Sequence, residues 1–233
     1  MQALVLRLFS IRQELAVELQ RFILLWRYQY HVPPLRLWWR LVLKRIVDFA
    51  AAAFGFILTA PVMALIALAV KLDSRGPVIY AQERVGRFGD PFMMYKFRTM
   101  RVDAEANGPV WCSRDQDPRL TRVGAFLRRT HLDEMPQLFN VLAGEMSLVG
   151  PRPERPFFVE ELKQAIPGYD ERLLIKPGMT GLAQVHYRYD ESVADVVRKL
   201  RFDRLYIKRL CLALDVRILV WTVFVVTTGR GIK

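Results

Sequence analysis

Two adjacent carboxylates, Asp133 and Glu134, stand in Arg128-Arg-Thr-His-Leu-Asp-Glu-Met-Pro-Gln-Leu-Phe-Asn-Val-Leu-Ala-Gly144. The spacing predicts a helix over 133–143. Thr130 or Asp133 suits its N-cap, Pro136 is tolerated in a first turn, and Leu138, Val141 and Leu142 share a face before Gly144 stops it. The free amides at such a helix start also bind phosphate. Neighbouring side chains on a helix diverge by about 100°. The two carboxylates therefore do not share a proton across one bond: one is free to attack or to accept a proton while the other holds a metal. Taken alone, an acidic pair at a helix start more often only offsets the helix dipole.

Basic residues surround the pair. Lys96 and Arg98 lie in Tyr95-Lys-Phe-Arg-Thr-Met100. Arg119, Arg122, Arg128 and Arg129 precede the carboxylates, and Arg152 follows them between Pro151 and Pro153. A diphosphate needs such charges, and arginine meets it with two parallel donors. Any single arginine more often faces solvent. Arg152 differs, because its flanking prolines restrict the backbone as a positioned ligand group requires.

These residues must be held by something. The 233 residues suffice for one domain with a core and an appendage. Beyond Gly76 the chain is soluble in character. Residues 77–81 and 92–95 read as the strands of a small hairpin, with Gly86, Gly89 and Pro91 in its turn. Helices are expected over 119–128, 157–165 and 191–210. From Ile46 to Val70 the one charge is Asp48. A straight helix of that length spans about 38 Å, more than the roughly 30 Å of bilayer hydrocarbon. Lys44 and Arg45 precede it and Lys71 and Arg75 follow it, so positive charge places both ends on the same, cytoplasmic side. With Pro61 past its middle, a kinked helix returning to its own leaflet is expected, and a plain single crossing is the rival. Upstream, Trp26, Tyr28, Trp38 and Trp39 lie among basic residues, the composition of a helix on a membrane surface. The apolar stretch 218–228 is too short to cross.

The formal net charge of +12 suits acidic lipid, nucleic acid or phosphorylated substrates. Nucleic acid is disfavoured, since a soluble binder has no use for such an apolar run. Cys112 and Cys211 make no disulfide scaffold, and three histidines show no zinc pattern. Charges at Arg7, Arg12, Glu14, Glu18 and Arg21 interrupt any signal-peptide core.

The motifs together resemble the bacterial sugar transferases, the monotopic phosphoglycosyl transferases. The resemblance rests on Lys44-Arg-Ile-Val-Asp48, Asp73-Ser-Arg-Gly-Pro77, Gln82-Glu-Arg-Val-Gly86, Lys96-Phe-Arg-Thr-Met100, Leu132-Asp-Glu-Met-Pro-Gln137, Gly144-Glu-Met-Ser-Leu-Val-Gly-Pro-Arg-Pro153 and Lys176-Pro-Gly-Met-Thr-Gly181. It implies transfer of a sugar 1-phosphate from a UDP-sugar to undecaprenyl phosphate, with release of UMP and need of Mg²⁺. Asp133 is then the nucleophile of a covalent intermediate and Glu134 a Mg²⁺ ligand. Lys96, Arg98, Arg128 and the Pro151-Arg152-Pro153 segment serve substrate. The implied fold is α+β: a helix-rich cytoplasmic catalytic domain with a small β-hairpin, a kinked re-entrant membrane helix and interfacial amphipathic helices. The organisation expected is an N-terminal extension (1–40), the membrane helix (41–75) and the catalytic domain (76–233), at the bacterial cytoplasmic membrane. Membrane phospholipid, a second copy of the chain and downstream glycosyltransferases are the further partners expected. One departure is Ala60, where small members often carry serine before the membrane proline; the kink loses a hydroxyl-to-backbone bond. The loop 184–190 is a candidate for influencing the choice of sugar. The alternative function is a non-catalytic membrane adaptor of a glycan-assembly complex.

Overall fold

The computed structural model describes residues 2–29, 32–104, 117–187 and 193–228. Helix α1 (Gln2–Tyr28) leads into the long α2 (Pro34–Asp73), then the antiparallel hairpin β1 (Ile79–Val85) and β2 (Pro91–Phe97). After α3 (Arg122–Thr130) come a 3₁₀ turn (Leu132–Glu134), α4 (Gln137–Ala143) and β3 (Ser147–Val149). Helix α5 (Pro156–Ala165) and a second 3₁₀ segment (Tyr169–Leu174) precede β4 (Gly178–Thr180), α6 (Leu182–His186), α7 (Val193–Lys208) and α8 (Leu212–Thr228).

The expected hairpin is present and longer at each strand. Glu83 and Arg84 continue β1 because they pair across to Met93 and Phe92. A second sheet, parallel and only three residues deep, joins β3 to β4. It needs glycine: a Cβ on Gly178 would stand 2.0 Å from the Gly150 nitrogen.

Helix α2 is the frame. Pro34 opens it, where a missing N–H costs nothing. It runs unbroken for 40 residues, so the boundary expected at residue 40 falls inside it. It is the one described helix long and apolar enough to cross a membrane. Most of its middle is open: Phe54 is 70 % exposed, Ile57 74 % and Leu65 68 %. Its contacts with the domain lie on either side of that stretch. Leu37 packs with Leu210 and Ile218, and Ala52 with Phe92, Met94 and Val141. Ile66 and Val70 pack with Phe97 and Leu127. Polar locks reinforce these layers. The Ser147 hydroxyl donates to Asp48 at 2.7 Å, and the Val123 amide donates to Asp73 at 3.0 Å. Within the helix, Thr59 Oγ1 donates to the Gly55 carbonyl at 2.7 Å. A hydroxyl-to-backbone bond of the kind Ala60 cannot make is thus made one residue earlier, by Thr59.

The N-terminal extension docks on the domain. Leu25 is fully buried beside Ile207 and Leu210, the Gln29 amide donates to the Ile207 carbonyl, and Arg21 meets Asp90 in the hairpin turn at 3.0 Å. The other face of α1 leaves Leu15, Leu19 and Ile23 exposed.

Lys44 is buried between Asp215 of α8 (2.9 Å) and Asp48 (3.5 Å). Removing it leaves two buried carboxylates without their cation. Lys44→Ala is therefore expected to cost about 3–5 kcal/mol. For a chain of this size that lowers Tm by roughly 6–20 °C, to be read by thermal unfolding of the purified protein in detergent. An unchanged Tm would show that the tether carries nothing.

Candidate active site

The chain reverses after α3 at His131, which holds the left-handed conformation (φ 58°). The carboxylates follow at once, and here the expected helix start is corrected. Asp133 and Glu134 lie in the 3₁₀ turn, and α4 begins only at Gln137. Pro136 has no N–H to give. The backbone closes instead by i to i−3 bonds: Glu134 to His131, Met135 to Leu132, Leu138 to Met135 and Phe139 to Pro136. Side chains in such a turn diverge by about 120°. Leu132 and Met135, which flank the carboxylates, pack against the cluster containing Ile66 and Val70 of α2. The turn thus rests on the long apolar helix.

Glu134 is held by two cations through one oxygen. Lys96 Nζ of β2 lies 2.7 Å from its Oε1, and Arg152 Nη2 lies 2.9 Å from the same atom. Oε2 takes part in neither contact. Burial alone would raise the Glu134 carboxyl, but Arg152 and Lys96 outweigh it and hold it well below the usual carboxylate range. Asp133 is 7 % exposed and forms no hydrogen bond or ion pair among the described residues. Burial pushes its carboxyl above the ordinary value, with Lys96 pulling the other way. Burial likewise lowers Lys96, opposed by the charge of Glu134.

Arg152 is positioned through its backbone. The Pro151 carbonyl accepts the Gly178 amide at 2.9 Å, that of Arg152 accepts Arg172 Nη2 at 2.9 Å, and that of Pro153 accepts Arg84 Nη1 at 3.0 Å. Both prolines are buried. Arg172 is in turn fixed by Asp203 (3.1 Å) and the Tyr169 hydroxyl (2.6 Å). On the other side, fully buried Asn140 of α4 accepts the Tyr95 amide at 3.1 Å and donates to the Met93 carbonyl at 2.7 Å. That staple sets Lys96 against Glu134.

Of the residues singled out in sequence, Asp133, Glu134, Lys96 and Arg152 come together. Arg128 bonds Thr99 Oγ1 at 3.0 Å through Nε, and its charge is felt at Asp133. Arg98 points elsewhere: its Nη2 donates to the Ser74 carbonyl (2.7 Å) and hydroxyl (2.9 Å) at the end of α2. Ala60 and Pro61 lie within α2. Of the loop 184–190, residues 188–190 lie outside the described residues, as does Cys112. Sequence reading missed Arg84, Arg172 and the role of Asn140. The signal available was their place inside the quoted motifs or beside them, but a lone arginine or asparagine has no local pattern that marks it as buried. No group of three histidine, cysteine or acidic side chains is gathered as a metal cage among the described residues.

The profile of the family described as Bacterial sugar transferase matches residues 39–229. A Bacillus subtilis protein named for undecaprenyl-phosphate N-acetylgalactosaminyl 1-phosphate transfer is 48 % identical over 157 residues, 67 % of this chain and 83 % of its own. The UDP-glucose:undecaprenyl-phosphate glucose-1-phosphate transferase of Escherichia coli is 44 % identical over 185 residues, 78 % of this chain and 40 % of its own. This chain thus spans less than half of that relative. An exopolysaccharide production protein of Rhizobium leguminosarum is 40 % identical over 200 residues, 82 % of this chain and 98 % of its own.

The raised Asp133 carboxyl has a consequence for pH. As the nucleophile that the family resemblance implies, Asp133 would have to be ionised, and its ionised fraction falls as pH drops through the raised value. The acid limb of phosphotransfer is therefore expected above the ordinary carboxylate range of about 4. Lys96→Met removes the strongest charge favouring the anion, so the limb moves to higher pH. A pH–rate profile of both proteins checks this, and superimposable limbs would refute it.

Proposed function

The chain belongs to the bacterial sugar transferase family, and from that premise we propose that it transfers a sugar 1-phosphate from a UDP-sugar to undecaprenyl phosphate, releasing UMP, with Asp133 as nucleophile. The observation that carries this is the buried Asp133 carboxylate, without an ion-pair partner among the described residues, beside Glu134, whose own charge is fixed by Lys96 and Arg152.

In this reaction an Asp133 oxygen attacks the phosphorus that bears the sugar. The bond from that phosphorus to the bridging oxygen breaks, and UMP leaves with the electron pair. The acyl phosphate so formed is then attacked by an oxygen of undecaprenyl phosphate. The bond to Asp133 breaks and the carboxylate is restored. One phosphoanhydride replaces another, so no further energy source is required. Lys96 and Arg152 stabilise the negative charge of the diphosphate, and the anchored Pro-Arg-Pro backbone holds the guanidinium in place. Arg128 adds charge beside Asp133.

The donor set suits Mg²⁺. This ion is held through one or two carboxylates together with substrate phosphates and water, and Glu134 Oε2 and Asp133 are the carboxylate oxygens outside the ion pairs. Glu134 would be the residue that holds the ion, with Lys96 and Arg152 beside it opposing a cation that lacks the diphosphate. Bound in that way, Mg²⁺ supplies charge neutralisation at the phosphoryl oxygens.

We place the enzyme on the cytoplasmic face of the bacterial inner membrane with α2 re-entrant. Support comes from α2 meeting one domain on both sides of an open apolar stretch, Asp48 against Ser147 and Asp73 against Val123, with Phe54, Ile57 and Leu65 exposed between them. A lipid acceptor carries its phosphate at the headgroup level, and the catalytic turn rests on the same helix.

Asp133→Asn is expected to reduce UMP release from UDP-sugars, assayed with undecaprenyl phosphate and Mg²⁺, by about a thousandfold or more; equal release by both proteins would remove the nucleophile assignment. For topology, Arg36→Cys and Arg75→Cys are to be placed singly in a chain whose Cys112 and Cys211 are serine. Both are expected to react with an impermeant maleimide from the cytoplasmic side. Labelling from opposite sides would establish a single crossing.

A further inference from the structure

Residues 1–38 lie outside the part of the chain that matches the family, and the reaction proposed above gives them no task. Their helix α1 nevertheless ends on an element that leads back to the active site. We propose that α1 belongs to the positioning machinery of Arg152, with Asp203 of α7 and Arg172 as the links. The inference rests on the function proposed above and deepens it by adding positioning residues.

Arg152 needs support from outside its own side chain. That side chain is 42 % exposed, so packing alone does not hold the guanidinium. Pro153 confines the backbone before it to extended conformations, and a grip on the Arg152 carbonyl selects one orientation within that range. Arg172 supplies the grip. Each arm of its guanidinium has a separate partner: Nη2 donates to the Arg152 carbonyl at 2.9 Å, Nη1 to the Tyr169 hydroxyl at 2.6 Å and Nε to Asp203 Oδ2 at 3.1 Å. A planar fork fixed at three points has no rotation left, whereas an ammonium in its place would keep it. Asp203, itself buried, also balances the charge. Without it Arg172 would be a buried cation free to turn towards Glu154, whose charge it already feels.

Asp203 is placed by α7, and α1 finishes that helix. The last four carbonyls of a helix have no partner within it. Ile207, one turn beyond Asp203, carries one of them, and it accepts the amide of Gln29, the residue that follows α1. Gln29 and Ile207 are both fully buried, so water does not replace this bond. Leu25 packs beside Ile207 and Leu210, and Lys208 Nζ lies 5.6 Å from the centre of the Tyr28 ring. The end of α7 that carries Asp203 is thereby seated by the N-terminal extension. Displacing it shifts the carboxylate that orients Arg172, and with it the carbonyl that orients Arg152.

A double-mutant cycle on the full chain in nanodiscs separates such a relay from general support of the fold. UMP release is read from uridine-labelled UDP-sugar. Asp203→Asn is expected to lower kcat by about tenfold and Gln29→Leu by about threefold, each with the UDP-sugar KM within about twofold, because Arg152 keeps its charge and loses its direction. Arg152→Ala is expected to cost roughly a hundredfold. In that background either change costs less than about twofold further, since the group it directs is gone. Equal losses in both backgrounds would show support of the fold alone and overturn the proposal. A parent-like kcat in Gln29→Leu or in Asp203→Asn would break the relay at that link, with the same consequence. Should either variant fail to fold, Gln29→Ala and Tyr169→Phe, which takes away only the hydroxyl met by Arg172 Nη1, replace them in the cycle with the same expected pattern. All of these outcomes leave the proposed reaction standing, whereas a parent that releases no UMP removes both.

Discussion

In the proposed reaction two anions must meet in this site, and that electrostatic constraint accounts for the arrangement around it. Like unit charges 4 Å apart repel by about 4 kcal/mol at an effective dielectric of 20. A carboxylate facing a diphosphate meets that cost more than once, and the sum rivals the roughly 5–15 kcal/mol that holds a whole domain folded. Lys96 and Arg152 answer it. Those cations also need an anion before substrate arrives, and Glu134 provides it through a single oxygen shared by both. In the proposed reaction the arriving diphosphate takes over part of that role. Asp133, with no such partner, is left available.

The same constraint explains why so much hydrogen bonding is spent on backbone. A flexible arginine between solvent and a carboxylate would have many rotamers and little directional effect. Here the three carbonyls of Pro151, Arg152 and Pro153 are each tied by a different donor. Asn140 ties the strand carrying Lys96 to the helix that follows the catalytic turn. Helix α2 lies beneath both. Ala52 packs under the hairpin, and Ile66 and Val70 pack under Leu127 and the turn. The apolar helix is thus part of the domain's core as well as the anchor we propose.

Much of this was legible in the sequence, for identifiable reasons. Asp133, Glu134 and Arg152 announce themselves by residue type and by neighbouring prolines. The run from Ile46 to Val70 announces itself by length and lack of charge. The hairpin follows from glycine and proline punctuation. What stayed hidden is non-local. Lys44 meets Asp215 across 171 positions, and the β3–β4 pair has no periodic signal in strands of three residues. Arg84 and Arg172 look like surface charges until their carbonyl partners are seen. The helix start near 133 was misplaced because the missing N–H of Pro136 propagates backwards as i to i−3 closure. Thr59 stands one residue further from the proline, and nothing local in sequence marks its bond to the Gly55 carbonyl.

The docking of α1 bears on how the chain is made. Gln29 meets Ile207 across 178 positions, and Leu25 and Leu37 close against Ile218. At about 5–20 residues per second of synthesis, the first helix waits roughly ten to forty seconds for its binding surface to leave the ribosome. During that interval α2 emerges next to it, apolar and ready for lipid. With α2 inserted as proposed, a nascent chain moored in the bilayer early would keep the waiting helix close to where its partner appears, so that insertion would guide folding from the start.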